Sequence, residues 1–147
     1  MEIINREAKF NYFVEDEIEC GISLLGTEIK SIRDGKANLK DSYAVIKNNE
    51  IYLLNMYIGE YKEGNLFNHD PRRTRKLLLH KSEINKLRKG VQEDGRTLVP
   101  LKLYFVKNKA KILLGLCKGK KTFDKRETIK ERDLNREASK LNKYNYK

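Results

Sequence analysis

The chain has 147 residues, a formal net charge of +11 from 32 Lys/Arg against 21 Asp/Glu, and 39% hydrophobic residues. That length suits one domain with a single core and a tail, and the charge points to a polyanionic partner, nucleic acid ahead of a membrane surface. No apolar run approaches the roughly 18 residues of a membrane-spanning helix, and no signal-peptide pattern follows Met1. Cys20 and Cys117 stand far apart with no CxxC, so they imply neither a disulfide partner nor a zinc site, but small apolar side chains in a reducing, cytoplasmic setting.

Asn5 is a good N-cap for a short helix over 6–11. Residues 12–25 read as a long strand. From Ile18 onward, Ile18, Cys20, Ile22 and Leu24 face one way, and Glu17, Glu19, Gly21 and Ser23 the other. Gly26-Thr27 ends that strand and opens a second helix, in which Leu25, Ile29 and Ile32 recur at i, i+4, i+7. Gly35 takes its C′ position, and Lys30 and Arg33 share its exposed side. Strands at 43–47 and 51–58 flank an Asn48-Asn49-Glu50 turn, since Asn tolerates positive φ. Residues 59–67 read as a polar, glycine-containing, mobile loop.

The stretch 68–81, NHDPRRTRKLLLHK, organises the rest. Asn68 through Pro71 is turn chemistry. Arg72, Arg73, Arg75 and Lys76 then place charge at the start of an apolar run short enough for a strand. If 75–80 is extended, Leu77 and Leu79 share one face, and Lys76, Leu78 and His80 the other. A leucine between a lysine and a histidine is an odd core residue but a fitting RNA-facing one. The alternative is a strand buried on both faces with a solvated basic start.

A short helix over 82–89 follows, lined by Ile84, Leu87 and Val91 and stopped by Gly90, then an Asp94-Gly95 turn. Strands at 98–106 and 111–117 form a hairpin around Asn108. Leu101, Leu103 and Phe105 make one inward row, and Pro100 marks a bulge or an edge. About six short strands with helices in the connections predict an α+β, mainly β fold: a small six-stranded antiparallel barrel of the oligonucleotide-binding type with short accessory helices. The barrel is expected over 1–117.

From Lys118 the composition changes: residues 118–147 hold 11 Lys/Arg and 5 Asp/Glu, a net +6. Ile129, Leu134 and Leu141 are too sparse for an apolar stripe. Opposite-sign pairs such as Glu127–Lys130 contribute only about a few tenths of a kcal/mol each. The expectation is a basic tail, disordered alone and helical against an anion; a solvated helix packed loosely on the barrel is the alternative.

His69-Asp70 invites a catalytic or metal reading, with a nuclease as the enzymatic alternative. A metal site would need more histidines than the remaining His80, and no nucleophile elbow or phosphate-cradling glycine loop is present. The acidic run at 15–17 reads as a solvated strand end. No catalytic residue, metal or cofactor is therefore expected. What remains is a binding surface of Lys30, Arg33, Arg72, Arg73, Arg75 and Lys76, with Phe10, Tyr12 and Tyr43 near in the pattern. Basic groups neutralise phosphates, while aromatics and an exposed leucine stack on unpaired bases. Glu19 in such a surface is either structural, pairing a neighbouring Lys or Arg, or an acceptor for base amino groups.

Five blocks in order, NREAKFNYF, GTEIKSIRDGKANLKDSYA, NHDPRRTRKLLLHKSEI, TLVPLKLYF and GKKTFDKRETIKERD, carry a further signal. Over nearly its whole length the chain resembles the SsrA-binding protein (small protein B, SmpB) family. The resemblance implies a six-stranded barrel and a bacterial, cytoplasmic RNA-binding adaptor of trans-translation. Such an adaptor binds the tRNA-like domain of transfer-messenger RNA (tmRNA) and carries it, alanyl-charged, into a stalled ribosome, standing in for the missing anticodon arm. The implied partners are tmRNA and the ribosome at its small-subunit decoding centre and mRNA channel. Alanyl-tRNA synthetase and elongation factor Tu act on the same RNA.

By motif position, Asn5, Glu19, Leu78 and His80 match RNA-binding positions, and Gly21, Lys30, Arg33, Arg75 and Lys76 complete that surface. Asp124-Lys125-Arg126 matches a tail signature tied to ribosomal function, and Phe123 could stack on an rRNA base. Lys118, Gly119, Lys120, Lys121, Lys130, Arg132 and Arg136 are expected to follow the empty mRNA channel in a helix. His80 stands where some relatives carry Asn, and residues 142–146 are rich in Asn and Tyr. The alternative function is a general single-stranded or ribosomal RNA-binding protein without tRNA mimicry.

Overall fold

A computed structural model of the chain describes residues 1–62, 68–92, 95–120 and 126. Among these residues the chain order is β1 (Glu2–Ile4), α1 (Arg6–Asn11), β2 (Tyr12–Ile22), α2 (Gly26–Arg33), β3 (Ala37–Asn38) and β4 (Tyr43–Lys47). Then come β5 (Glu50–Leu54), β6 (Tyr57–Ile58), β7 (Arg75–Leu78), α3 (Lys81–Val91), β8 (Arg96–Val106) and β9 (Lys109–Gly119). Strands β8, β4, β5, β7, β2 and β9 pair in that order, and β9 pairs back onto β8, closing the expected ring of six antiparallel strands. The thinnest join is β4 to β8, a single bridge between Ala44 and Leu98. Outside the ring, β1 lies along β8, and β3 pairs with β6.

Local chemistry sets the corners. Asn48 and Asn49 (φ 52° and 62°) turn β4 into β5, and Lys107 and Asn108 (φ 50° and 65°) turn β8 into β9. Both central residues of each turn are left-handed, the geometry that matches the twist of paired strands. Gly35, at φ 76°, follows α2 as expected. The barrel interior holds the apolar face of each strand, with Cys20, Ile22, Ile51, Leu53, Leu77 and Ile112 buried. Ile32 of α2 joins that core, as do Ile84 and Leu87 of α3. Ala8 of α1 packs in a smaller cluster with Val99 and Cys117. Both thiols are free and buried, and burial pushes Cys20 up to about 12 and Cys117 up to about 11, so they behave as apolar filler.

Several expected boundaries move. The first long strand stops at Ile22 rather than at residue 25, because Leu25 becomes the N-cap of α2. The expected strand at 51–58 divides into β5 and β6 around Asn55 at φ 65°. Gly90 does not stop α3 but lies inside it, where a Cβ would fall 2.5 Å from Leu116 Cδ2; the glycine lets the helix approach β9. The bulge expected at Pro100 is present as a register shift between Pro100 and Lys102. It breaks the expected inward row, turning Leu101 toward Val99 and Cys117 while Leu103 stays in the main core. Lys118 and Gly119 belong to β9, opposite Phe13 and Tyr12, so the barrel reaches beyond residue 117. The loop at 63–67, Asp94 and the tail from 121, Arg126 excepted, lie outside the described residues.

Candidate RNA-binding face

The outer surface of the barrel is built by strand alternation. Across β7, β2, β9, β8 and β1, one continuous row of cross-strand partners runs Leu78, Gly21, Lys111, Tyr104, Glu2. Leu78 is 51% exposed, although its strand neighbour Leu77 is fully buried. Gly21 leaves bare backbone beside it: a Cβ there would lie 3.2 Å from Leu78 Cβ. An open cup of about 370 Å³ adjoins the pair, walled by Leu24, Ile29 and Phe105 and rimmed by Lys109 and Lys111.

Glu19 and Gly21 emerge on the outer side of β2, as the alternation predicts. The Glu19 carboxylate accepts a hydrogen bond from the Tyr104 hydroxyl at 2.6 Å. Among the described residues no lysine or arginine forms an ion pair with it; the partner that holds it is the Tyr104 hydroxyl. Tyr104 is braced by Lys102, whose Nζ lies 5.3 Å from the ring centroid and 3.6 Å from a Glu2 carboxylate oxygen. Burial first, then the bond to Glu19, push the Tyr104 phenol up to about 12.

On β7, Lys76 and Leu78 point outward and Arg75 and Leu77 inward, and His80 is exposed where α3 begins. Lys76 Nζ lies 3.6 Å from Glu50, and the His80 backbone N–H donates to Glu83 at 3.0 Å. The outward cations of α2 rest on aromatic rings. The Arg33 guanidinium sits 4.7 Å from the Phe105 centroid, and Lys30 Nζ 5.4 Å from that of Tyr61. These contacts hold two positive groups in defined places, that of Arg33 on the Phe105 wall of the cup.

Two expected surface residues are elsewhere. Arg75 is fully buried, its Nε bonded to Glu28, one NH to the Met56 carbonyl at 2.7 Å and the other to that of Pro71 at 3.3 Å. It is unavailable to a phosphate and, contrary to the expectation from the sequence, is no part of the exposed surface. Strand alternation already explains why, since Arg75 shares the inward face of Leu77. Asn5 is largely buried and heads α1 without capping it by its side chain; its amide donates instead to the carbonyls of Pro100 at 2.8 Å and Leu39 at 3.4 Å. That bond pins the turn between β1 and α1 to the bulge of β8.

Of the remaining surface arginines, Arg73 donates to Glu28 at 2.6 Å and to the Ser23 carbonyl at 3.2 Å. Arg72 donates to the Asn55 carbonyl at 3.0 Å. Glu28 is therefore a fully buried carboxylate serving Arg73, Arg75 and the Leu25 N–H. Burial alone would raise its pKa; hydrogen bonds from Arg73, the Leu25 amide and Arg75 outweigh that and hold it below the ordinary carboxylate range. Sequence reasoning assigned nothing to Glu28, Tyr104 or Lys111.

His69 is also buried and structural. Its Nε2 lies 3.0 Å from the Ile58 carbonyl, which can only accept, so Nε2 carries the proton; Nδ1 faces the Thr27 hydroxyl at 2.9 Å. Among the described residues no three His, Cys, Asp or Glu side chains converge as a metal site, and no helix is long and apolar enough to cross a membrane. Lys118 and Gly119 end β9, and Lys120 is tied to α1 by its N–H to the Asn11 carbonyl at 2.8 Å. Arg126 is exposed. The remaining expected tail contacts, Lys121, Phe123, Asp124, Lys125, Lys130, Arg132 and Arg136, lie outside the described residues.

A closed, basic antiparallel barrel with a bare-backbone strip, an exposed leucine and ordered cations defines a small β-barrel protein of the nucleic-acid-binding class. Comparison with known proteins narrows this. The family profile described as SmpB protein matches residues 2–144. An SsrA-binding protein of Agrobacterium fabrum is 58% identical over 96% of this chain and 89% of its own length. Those of Acetivibrio thermocellus and Staphylococcus aureus are 55% and 56% identical, each over 97% of this chain and 93% and 92% of their own. A solved structure described as "tmRNA-SmpB: a journey to the center of the bacterial ribosome" superposes with a TM-score of 0.70 at 48% identity, covering 82% of this chain and 85% of that one. The chain belongs to the SmpB family of SsrA-binding proteins.

Proposed function

We propose that this protein is the RNA-binding adaptor of trans-translation: it binds the tRNA-like domain of tmRNA and brings it to stalled ribosomes for rescue and peptide tagging. The observation that carries the reading is the near-full-length kinship to SsrA-binding proteins, at 55–58% identity. The likeness to SmpB in its tmRNA–ribosome setting points the same way. The outer face of β2 and β7, with Glu19, Gly21, Lys76, Leu78 and His80, is the surface offered to the RNA, flanked by Lys30 and Arg33. Cations there supply phosphate attraction, while Leu78 and bare backbone suit unpaired bases.

The tail from residue 121 onward takes the second role, lying as a basic helix in the empty mRNA channel beyond the decoding centre. Its Asp124-Lys125-Arg126 signature serves the ribosome rather than RNA capture. The adaptor does no chemistry itself and works in the cytoplasm, where alanyl-tRNA synthetase and elongation factor Tu act on the same RNA.

The deciding experiment is gentle purification from the protein's own cells, followed by sequencing of the RNA that accompanies it. One dominant RNA with a tRNA-like end and a short coding segment is expected. A broad mixture of ribosomal and messenger fragments would replace this reading with general RNA binding.

A further inference from the structure

We propose that Lys120 is the positioning residue of the tail: it clamps the end of β9 onto the C-terminal carbonyls of α1 and so sets the direction in which the following chain leaves the barrel. The inference rests on the reading of the tail as the segment that engages the ribosome, and adds to it the device that aims that segment.

The last ladder pairs of β9 place Lys118 opposite Phe13 and Gly119 opposite Tyr12. One residue further on, the Lys120 N–H donates to the Asn11 carbonyl at 2.8 Å, so the ladder runs past the strand onto the end of the helix. The Lys120 side chain turns back to the same place. Its Nζ donates to the Lys9 carbonyl at 2.8 Å and lies 4.9 Å from the centroid of the Phe13 ring. Backbone and side chain are thus fastened together, and Lys120 is only partly exposed.

The chemistry of α1 suits it to receive this lysine. The last carbonyls of a helix have no partner within it and carry the negative end of its dipole, and an ammonium group answers both. The Lys9 carbonyl would have bonded the N–H of Phe13 had the helix continued, but Phe13 already belongs to β2. A helix of six residues is too short to stand alone in water, and α1 is fixed from outside. The Asn5 amide ties its start to the carbonyls of Pro100 and Leu39, and Ala8 packs with Val99 and Cys117. The helix is therefore a rigid platform, and Lys120 is where the tail is fastened to it.

Fixing the root matters because of leverage. A loose joint at residue 120 lets residues 121–147 sweep a large volume, whereas a fixed joint concentrates them along one direction. It also removes part of the ordering cost before the ribosome is met. The same device accounts for Phe13, an aromatic left 47% exposed on the outside of the barrel: its ring is the seat of the ammonium.

The test uses the full-length protein and compares Lys120→Met, Lys120→Arg and Phe13→Leu. Methionine keeps the apolar stem without the ammonium; arginine keeps a cation able to donate to the Lys9 carbonyl and rest on Phe13. Spin labels carried by Lys47→Cys and Thr122→Cys report distances between the barrel and the first residues of the tail. Cys20 and Cys117 are buried and stay unlabelled. In the free protein, Lys120→Met should broaden the distance distribution and Lys120→Arg should keep it narrow. Peptide tagging on stalled ribosomes at limiting protein should fall about three- to tenfold in Lys120→Met. Affinity for the tRNA-like domain should stay within about twofold, and the melting temperature within about 4 °C. Phe13→Leu should broaden the distribution less, and should add nothing once Lys120→Met is present.

A distribution that Lys120→Met leaves unchanged would overturn the inference. So would additive tagging losses from the two substitutions, which would make Lys120 a direct phosphate contact on the ribosome. If Lys120→Met tags normally while a chain of residues 1–121 does not tag, the clamp falls and the tail reading stands. If the chain of residues 1–121 tags as well, the tail reading falls and the clamp with it.

Discussion

Arg75 and Glu28, 47 residues apart in the chain, meet with neither side chain exposed, Nε 2.5 Å from Oε2. Through this contact the first turn of α2 is fastened to the start of β7, and Arg73 and the Leu25 N–H occupy the other carboxylate oxygen. Lys30 and Arg33 on the helix are thereby set at a fixed distance from Lys76 and Leu78 on the strand. A buried pair of this kind is weak as a net source of stability but expensive to break from one side. Here it fixes the geometry between two parts of the proposed RNA-binding face.

Glu28→Gln leaves Arg75 buried without its counter-charge and should destabilise the barrel by about 3–5 kcal/mol in urea unfolding. The pH dependence follows from the same group. Its folded-state pKa lies below the ordinary value of 4.5, so the unfolded chain binds the extra proton first. The pair's contribution is complete above that ordinary value and is lost as pH falls through the folded pKa. Wild-type stability should drop across that acidic window, and Glu28→Gln should flatten this part of the curve. An unchanged slope in the variant would mean that other carboxylates carry the acid sensitivity.

Much of the fold was legible because it rests on local periodicity. Alternation along β2 and β7 separated inside from outside correctly at Cys20, Ile22, Leu77 and Leu78. The Asn48-Asn49 turn was readable because few other residues accept positive φ so easily. What failed depended on partners far away in sequence. Arg75 looked like one more surface cation because composition counts charges, not faces, and its partner Glu28 lies across the fold. Gly90 resembled a helix stop because nothing nearby shows that Leu116 presses against it. Glu19 could be placed on a face, but only the β2–β9–β8 register brings Tyr104 to it.

Leu78→Ala combined with His80→Ala removes two exposed side chains from the outer face. Surface changes of this kind usually alter stability by no more than about 0.5 kcal/mol, so the melting curve should match the wild type. Affinity for the tRNA-like domain should fall by about tenfold or more, through lost apolar and stacking contact. Unchanged affinity in a gel shift at fixed salt would remove this pair from the binding face.

His69→Ala is a test of structure against catalysis. The substitution leaves the Ile58 carbonyl and the Thr27 hydroxyl without their partner in a buried place, which costs about 1–3 kcal/mol. The variant should melt earlier, and labelled RNA incubated with divalent metals should stay as intact with the wild type as with the variant. Cleavage by the wild type that the variant lacks would revive the nuclease alternative.

Cutting the chain after Lys121 separates the two proposed roles. The last described residue of the barrel segment, Lys120, is tied down at both ends: its N–H donates to Asn11 and its Nζ to the Lys9 carbonyl, each at 2.8 Å. Its Nζ also lies 4.9 Å from the Phe13 ring centroid. A chain of residues 1–121 keeps all these contacts, so its unfolding midpoint should stay close to that of the full chain. The removed segment carries eight Lys/Arg and five Asp/Glu, a net +3 out of +11. Long-range attraction to RNA is reduced but most of it stays with the barrel. Affinity for the tRNA-like domain at moderate salt should therefore change by no more than about threefold, with a shallower salt dependence. Tagging of peptides on stalled ribosomes should be abolished, because the role proposed for the tail is exercised on the ribosome and not in RNA capture. Tagging that survives the truncation would show that the barrel alone engages the decoding centre productively.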